Sequence, residues 1–195
     1  MKTSLSDIVI VGVGGQGVIL ISNVIGKAAL LAGLPVRGIE THGMAQRGGS
    51  VMNHIRIGCE LSPMVALGSA DILLAMEPAE ALRHANYLSP NGTAIVNITP
   101  VLPITVTTGK SVYPPVVEIF EVLKKVCKNL LILDATTLAS RAGSPQTMNI
   151  VMLGALSNFI PLKEETLIEA ISKSVPPKFL DMNKRAFELG KVEVE

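Results

Sequence analysis

Two segments rich in glycine and polar residues carry the side chains that could bind a small charged ligand. In the first, VGVGGQGV (Val11–Val18), Gly12–Gly17 fits the pattern G-x-G-x-x-G, which lets backbone amides at a helix N-terminus approach a phosphate. In the second, ETHGMAQRGGSV (Glu40–Val51), Arg47 offers a planar fork for a carboxylate or phosphate. His42 of the same segment could change its protonation state near neutral pH.

The residues of the glycine segment leave three interpretations open. One is a dinucleotide-binding turn, because Glu40 ends the next predicted strand, where an acidic residue would contact a ribose. The second is a tight turn that only allows a helix to pack closely on the sheet. The third is a site for another anion or polar ligand at the positive end of a helix, with the Gln16 amide able to donate and accept. The pattern predicts a ligand without naming it.

Apolar runs and helical periodicity predict the elements that must position these segments. Six strands are predicted, at Ile8–Val11, Val36–Glu40, Val51–Ile57, Ile72–Met76, Thr93–Ile98 and Leu130–Asp134. Helices are predicted at Gly15–Ala32, after Pro78, and at Pro115–Cys127, Gln146–Phe159, Lys163–Lys173 and Lys178–Leu189. The alternation predicts a single α/β domain over residues 1–195, with an open, mostly parallel sheet, helices on both faces and a helical C-terminal part.

The last predicted helix could belong to the core or to an interface. Phe179, Met182, Ala186 and Phe187 recur at helical spacing, while charged residues take other positions. We expect this apolar stripe to pack on the chain's own sheet rather than to form an arm that binds a partner.

Composition argues against several classes of protein. The 195 residues carry a net charge of +1 and only 3% aromatic residues, so we do not expect binding of nucleic acid. Polar residues interrupt the apolar stretch 18–34 and the N-terminus lacks a signal-peptide pattern, so we expect a cytoplasmic protein without a membrane span. Cys59 and Cys127 are far apart in the sequence and form no C-x-x-C pattern, so we do not expect metal ligands. A single disulfide is the alternative to two reduced, buried thiols, and we expect the thiols.

Four blocks of the sequence, in the same order, resemble one protein family. IVGVGGQGVILISNVIGKAALLAG (Ile10–Gly33) and ETHGMAQRGGSV are similar to the gamma-type component of the 2-oxoacid:ferredoxin oxidoreductases. The variant THGMAQRGGSV most resembles the indolepyruvate branch and its small (beta) subunit. NIVMLGAL (Asn149–Leu156) and NKRAFELG (Asn183–Gly190) match as well, so the resemblance covers nearly the whole chain.

This resemblance implies a Rossmann-like fold that does not bind NAD. It also implies the small subunit of a heteromeric enzyme of amino-acid catabolism. That enzyme oxidatively decarboxylates a 2-oxoacid, here an indolepyruvate or other arylpyruvate, to an acyl-CoA and CO2 and reduces ferredoxin. Thiamine diphosphate, Mg²⁺ and 4Fe–4S clusters would belong to the large (alpha) subunit, and coenzyme A would be a co-substrate. The chain alone would bind no cofactor or metal and would be inactive.

The two segments then form the candidate site, lining the substrate or coenzyme A site or the interface with the large subunit. The residues expected there are Gly12, Gly14, Gly15, Gln16, Gly17, Thr41, His42, Gln46, Arg47, Gly48, Gly49 and Ser50. Arg47 is the one candidate for a catalytic role. The alternatives are a Rossmann-type enzyme that binds NAD(P) and a ligand-binding module without a catalytic partner.

Overall fold

Six strands and eight α-helices build the part of the chain that a computed structural model describes, residues 5–42 and 49–194, with the backbone alone for Thr41 and His42. The strands are β1 (Ser6–Val13), β2 (Val36–His42), β3 (Ser50–Ile57), β4 (Ala70–Ala75), β5 (Leu88–Asn97) and β6 (Asn129–Leu133). The helices are α1 (Val18–Leu31), α2 (Pro78–Arg83), α3 (Ile104–Thr107), α4 (Val116–Val126), α5 (Ala135–Ala142), α6 (Met148–Ser157), α7 (Glu164–Ser172) and α8 (Leu180–Val192).

The six strands form one sheet in the order β2-β3-β1-β4-β5-β6. β1, β4, β5 and β6 are parallel, whereas β3 is antiparallel to both of its neighbours, β1 and β2. The mostly parallel sheet predicted from the sequence is confirmed. The insertion of β3 between β1 and β2 was not predicted. The short connection between β2 and β3 explains only why these two strands are antiparallel, because parallel strands need a longer crossover connection.

The side chains of β1 alternate between two helical layers. Ile8 and Ile10 pack in the cluster that includes α1 and the C-terminal helices α5 to α8. Val9 and Val11 pack in the cluster that includes α2 and α4 on the other face. All four side chains are fully buried, which explains the uninterrupted apolar run in the sequence. The prediction of helices on both faces is confirmed.

Helix α5 is the main element that the sequence pattern missed. It has eight residues and contains Thr136 and Thr137, which disfavour helices because their side chains are branched at Cβ. Asp134 stabilises its first turn, since one carboxylate oxygen accepts the Thr137 amide at 3.0 Å and the other accepts the Thr137 hydroxyl at 2.7 Å. The short α3 was missed as well.

Helix α8 is part of the core, as the apolar stripe indicated. Phe187 and Ala186 are fully buried, whereas Phe179, which precedes the helix, is 41% exposed. The helix packs closely on α6 where Gly154 faces the Phe187 carbonyl and Gly190 faces the Val151 carbonyl. A Cβ on either glycine would clash with backbone that cannot move independently of its helix. The two glycines therefore set the separation of α6 and α8.

Alanine at either glycine should destabilise the protein, although alanine normally stabilises a helix. We expect Gly154→Ala and Gly190→Ala each to lower the free energy of unfolding by about 1–3 kcal/mol or more through overpacking. Gly26, inside α1, is the matched control, because a Cβ there would meet no heavy atom within 4 Å. Gly26→Ala should gain about 0.5–1 kcal/mol. Urea unfolding measures the free energy of unfolding of all three variants. Equal changes in Gly26→Ala and in the two variants at the contact of α6 with α8 would contradict the close packing.

The structure can be compared with two expectations from composition, the burial of the cysteine thiols and the lack of a membrane-spanning helix. Both thiols are free; Cys59 is buried, but Cys127 is only partly buried, so the expectation of burial was wrong for Cys127. Burial raises the pKa of the Cys127 thiol, which keeps it protonated. No helix among the described residues is both long enough and apolar enough to cross a bilayer.

Candidate functional site

The glycine segment forms the turn from β1 into α1 at the carboxyl end of β1. Gly15 and Gly17 have φ angles of +104° and +77°, which glycine adopts without strain. A Cβ on Gly17, the N-cap of α1, would also clash with the amide group of Asn149 at the start of α6. Gly15 is exposed, and a Cβ there would meet no heavy atom within 4 Å. Gly15 is therefore required by its backbone conformation alone. Gly17 is required both by its backbone conformation and by its close packing against Asn149.

The side chain of Gln16 fills the crevice between β1 and the end of β4. Its Oε1 accepts the Val13 amide at 2.7 Å, and its Nε2 donates to the Met76 carbonyl at 3.2 Å. A Cβ on Gly12 would lie 2.9 Å from both Gln16 Oε1 and Met76 Cβ. Gly12 is therefore needed so that the glutamine can fold back beneath the turn, and the donor and acceptor of its amide are both used within the chain.

The glycine segment meets the end of the second candidate segment directly. The Gly14 amide donates to the Gly49 carbonyl at 2.9 Å, and Val13 pairs with Ser50 in the antiparallel ladder of β1 and β3. We call this contact the Gly14–Gly49 junction. The structure thus brings together the first segment and the C-terminal end of the second. That the two segments line one ligand site or interface stays a prediction.

The remaining residues of the second segment lie partly outside the described part of the chain. Thr41 and His42 are the last residues of β2, paired with Met52 and Val51 of β3, and only their backbone is described. The predicted site residues Gln46, Arg47 and Gly48 lie outside the described residues.

The arrangement does not match the dinucleotide interpretation. Glu40 lies within β2, two residues before its end, and β2 is separated from β1 by β3. A Rossmann site places the acidic residue on the strand beside the glycine turn. The amides of Val13, Gly14 and Gln16 already donate to Gln16 Oε1, Gly49 O and Val13 O. These amides are therefore committed to the chain itself rather than presented to a pyrophosphate.

A buried carboxylate that the sequence predictions omitted lies beside the Gly14–Gly49 junction. Glu80 of α2 accepts a hydrogen bond from the Ser50 hydroxyl on Oε2, and His84 Nε2 lies 3.4 Å from the same oxygen. Arg83 Nε donates to Oε1 at 3.0 Å. Burial opposes ionisation of this carboxyl group, but hydrogen bonds from His84 and Ser50 and the charge of Arg83 outweigh it and lower its pKa. Glu80 is therefore held as a carboxylate.

A second carboxylate, Glu77, fixes the start of α2. Its Oε1 accepts the Glu80 amide at 2.5 Å, and its Oε2 accepts the Tyr113 hydroxyl at 2.7 Å. Burial and the neighbouring Glu77 raise the pKa of Tyr113, so it acts as a donor. The sequence did hold a signal for these residues, because two acids closely follow the predicted buried strand Ile72–Met76 at its carboxyl end.

His54 of β3 is fully buried on the same face of the sheet as Ser50. Its Nδ1 accepts the Val65 amide at 3.3 Å, so the proton of the neutral ring lies on Nε2, which has no hydrogen-bond partner among the described residues. The ring meets Tyr87 edge to face, with 5.3 Å between centroids. Burial, and to a lesser extent repulsion by His84, lowers the pKa of His54 from its ordinary value of 6.5. Protonation of Nδ1 would abolish the bond from Val65.

Stability should therefore fall in mild acid. Because the pKa of His54 is lower in the folded chain than in the unfolded chain, its contribution is complete above the ordinary value of 6.5 and is lost as the pH falls through the folded value. We expect the free energy of unfolding to fall below about pH 6.5, by at most about 1.4 kcal/mol per pH unit from this group. His54→Asn, whose side-chain oxygen can replace Nδ1 as acceptor, should show a shallower dependence. Denaturant unfolding from about pH 7.5 to about pH 5.5 measures it; identical slopes would exclude His54 as the cause.

The described residues do not fit an iron–sulfur cluster or another tightly bound metal. Among residues 5–42 and 49–194, no group of three or more His, Cys, Asp or Glu side chains is arranged to hold a metal ion. The chain has only two cysteines, whereas a 4Fe–4S cluster is held by four thiolates.

Comparisons with known proteins match nearly the full chain to one protein family. Residues 7–192 match the family described as pyruvate ferredoxin/flavodoxin oxidoreductase. The chain is 45% identical over 188 residues to indolepyruvate oxidoreductase subunit IorB of Thermococcus kodakarensis, covering 94% of this chain and 93% of the relative. It is 43% identical over 186 residues to IorB of Archaeoglobus fulgidus, covering 94% and 92%.

A solved structure of a related subunit has the same fold. The pyruvate oxidoreductase subunit PORC from Thermotoga maritima superposes with a TM-score of 0.71 at 26% identity, covering 97% of this chain and 96% of that one. The family resemblance that the sequence motifs indicated is confirmed.

Proposed function

Because the chain belongs to the pyruvate ferredoxin/flavodoxin oxidoreductase family, we propose that it is the small subunit of an indolepyruvate-type 2-oxoacid:ferredoxin oxidoreductase. The observation that carries this proposal is the identity of 43–45% to IorB subunits over 94% of the chain. The complex would oxidatively decarboxylate an arylpyruvate, transfer the acyl group to coenzyme A and reduce ferredoxin. We place it in the cytoplasm, where free thiols such as Cys59 and Cys127 stay reduced.

The redox groups of such an enzyme are assigned to the large subunit. Thiamine diphosphate, its Mg²⁺ and the 4Fe–4S clusters supply the decarboxylation and electron transfer, and this chain has neither the thiolates nor a metal-binding cluster among its described residues. The small subunit would act by binding and positioning ligands at the interface between the two chains.

The surface proposed for this task is the carboxyl edge of the sheet around the Gly14–Gly49 junction. Parallel α/β sheets bind ligands at this edge, and the N-terminus of α1 provides a positive potential there. The ligands of the reaction, a 2-oxoacid and coenzyme A, are both anions. Arg47 precedes Gly49 by two residues in the sequence. We assign Arg47 to the carboxylate of the 2-oxoacid or a phosphate of coenzyme A.

Removal of the Arg47 charge should weaken catalysis without affecting assembly. We expect Arg47→Ala to lower ferredoxin reduction by the reconstituted complex about tenfold or more, which corresponds to about 1.4 kcal/mol of transition-state stabilisation. Steady-state kinetics that vary the 2-oxoacid and coenzyme A separately identify the ligand, because only its apparent KM should rise. Arg37 is the matched control, an exposed arginine at the opposite end of β2 that donates to the Glu60 carbonyl at 3.3 Å. Unchanged kinetics in Arg47→Ala would contradict the assignment.

The isolated chain should have no redox activity. We expect the purified chain to be colourless, to contain no stoichiometric iron or acid-labile sulfide, and to gain activity only with its large subunit. Two cysteines cannot supply the four thiolates of a cluster. Iron and sulfide assays test this directly, and a cluster bound by the chain alone would contradict the proposed division of roles.

A further inference from the structure

Glu80 carries a buried carboxylate that has no role in the proposed function as described so far. Its side chain is only 6% exposed, and a buried carboxylate is costly unless its oxygens accept hydrogen bonds. Two of its partners, Arg83 and His84, follow Glu80 by three and four residues in the sequence. These local contacts do not depend on where the sheet lies. The third partner, Ser50, is the first residue of β3 and belongs to a different element. The Ser50 contact therefore joins α2 to the start of β3.

The start of β3 is connected to the glycine turn through two adjacent residues. Ser50 faces Val13 in the ladder, and the carbonyl of the preceding residue, Gly49, accepts the Gly14 amide. A shift of Ser50 would therefore change the position of the Gly49 carbonyl and the geometry of the Gly14–Gly49 junction. Ser50 also lies 3.3 Å from His84 Nε2, so its hydroxyl is held on two sides.

The position of Glu80 is itself fixed at the start of α2, where Glu77 is the N-cap. Glu77 holds the Glu80 amide, and the Tyr113 hydroxyl both donates to Glu77 and accepts the Ala79 amide at 3.0 Å. The carboxylate of Glu80 thus projects from a helix start that is anchored on the body of the protein. It provides a fixed point against which Ser50 is held.

We propose that Glu80 is a positioning residue of the candidate site, which acts through Ser50 to hold the Gly14–Gly49 junction in place. The proposal rests on the proposed function, in which this junction borders the site for an anionic ligand. Glu80 touches no ligand in this account. Its role is to keep the end of the second segment beside the glycine turn.

Four variants and a control separate this role from general stabilisation. Ser50→Ala removes the donor, and Ser50→Thr keeps it and serves as the rescue. Glu80→Gln removes the charge of the acceptor, and the double variant Ser50→Ala/Glu80→Gln tests whether the two residues act together. Ser172→Ala is the matched control, because it removes an exposed serine hydroxyl of α7 that donates to the Glu169 carbonyl at 2.7 Å and does not contact Glu80.

Two measurements are made on the complex of this chain with its large subunit. The first is hydrogen–deuterium exchange of the peptide that contains the Gly14 amide, which needs no substrate. The second is steady-state kinetics for the 2-oxoacid and coenzyme A. In Ser50→Ala we expect faster exchange at Gly14 and a rise in one apparent KM on the order of threefold to tenfold, since small displacements weaken ligand positioning. The KM affected should be the one that Arg47→Ala raises, while kcat stays within about twofold.

The remaining variants complete the expected pattern. Ser50→Thr should restore the exchange rate and the KM. The double variant should change them no more than the more affected single variant does, and Ser172→Ala should leave both unchanged. A KM change in Arg47→Ala without any change in Ser50→Ala would overturn the role of Glu80 while the proposed function stands. Faster exchange in Ser50→Ala with unchanged KM values in Ser50→Ala and Arg47→Ala would overturn the ligand site itself, and the positioning role with it. Additive effects of Ser50→Ala and Glu80→Gln would show that Glu80 does not act through Ser50.

Discussion

The hydrogen bond from the Gly14 amide to the Gly49 carbonyl is the contact on which the arrangement of the candidate site depends. It exists because β3 lies antiparallel beside β1, so the first residue of β3 meets the last residue of β1. A turn and a strand that are more than thirty residues apart in sequence therefore share one edge of the sheet. Gln16 below the turn and Ser50 beside it hold this contact from two directions.

The same strand insertion explains why a dinucleotide-like glycine pattern does not lead to a dinucleotide site. A Rossmann turn needs open amides and an acidic residue on the adjacent strand. Here β3 occupies the adjacent position, and the amides of Val13, Gly14 and Gln16 are used within the chain. Two glycines of the pattern G-x-G-x-x-G have local reasons, because Gly12 makes room for Gln16 and Gly17 has a positive φ angle. Gly15, which lies between them outside the pattern, has a positive φ angle as well. The glycines serve the fold of the turn and its contact with β3.

Local signals predicted the elements well, and tertiary contacts account for most of what was missed. The buried strand at Ile8–Val11 and the start of α1 after the glycines follow from apolar runs and from backbone freedom. The place of β3 in the sheet does not follow from these local signals, because strand order is decided by packing. Glu80 was missed because its role depends on Ser50, thirty positions away, although its place after a buried strand was a usable signal. The importance of Arg47 was inferred from a motif and remains a proposal.

We propose that the carboxyl edge around the Gly14–Gly49 junction faces the large subunit. Hydrogen–deuterium exchange of this chain, alone and in complex with the large subunit, tests it most directly. We expect slower exchange on complex formation in peptides that cover Gly12–Val18 and Gly49–Met52. The peptide that covers α7, Glu164–Ser172, should be unchanged, since α7 packs on α1 and α8 away from this edge. Protection confined to α7 or to the opposite edge of the sheet, with no change at the junction, would contradict the account.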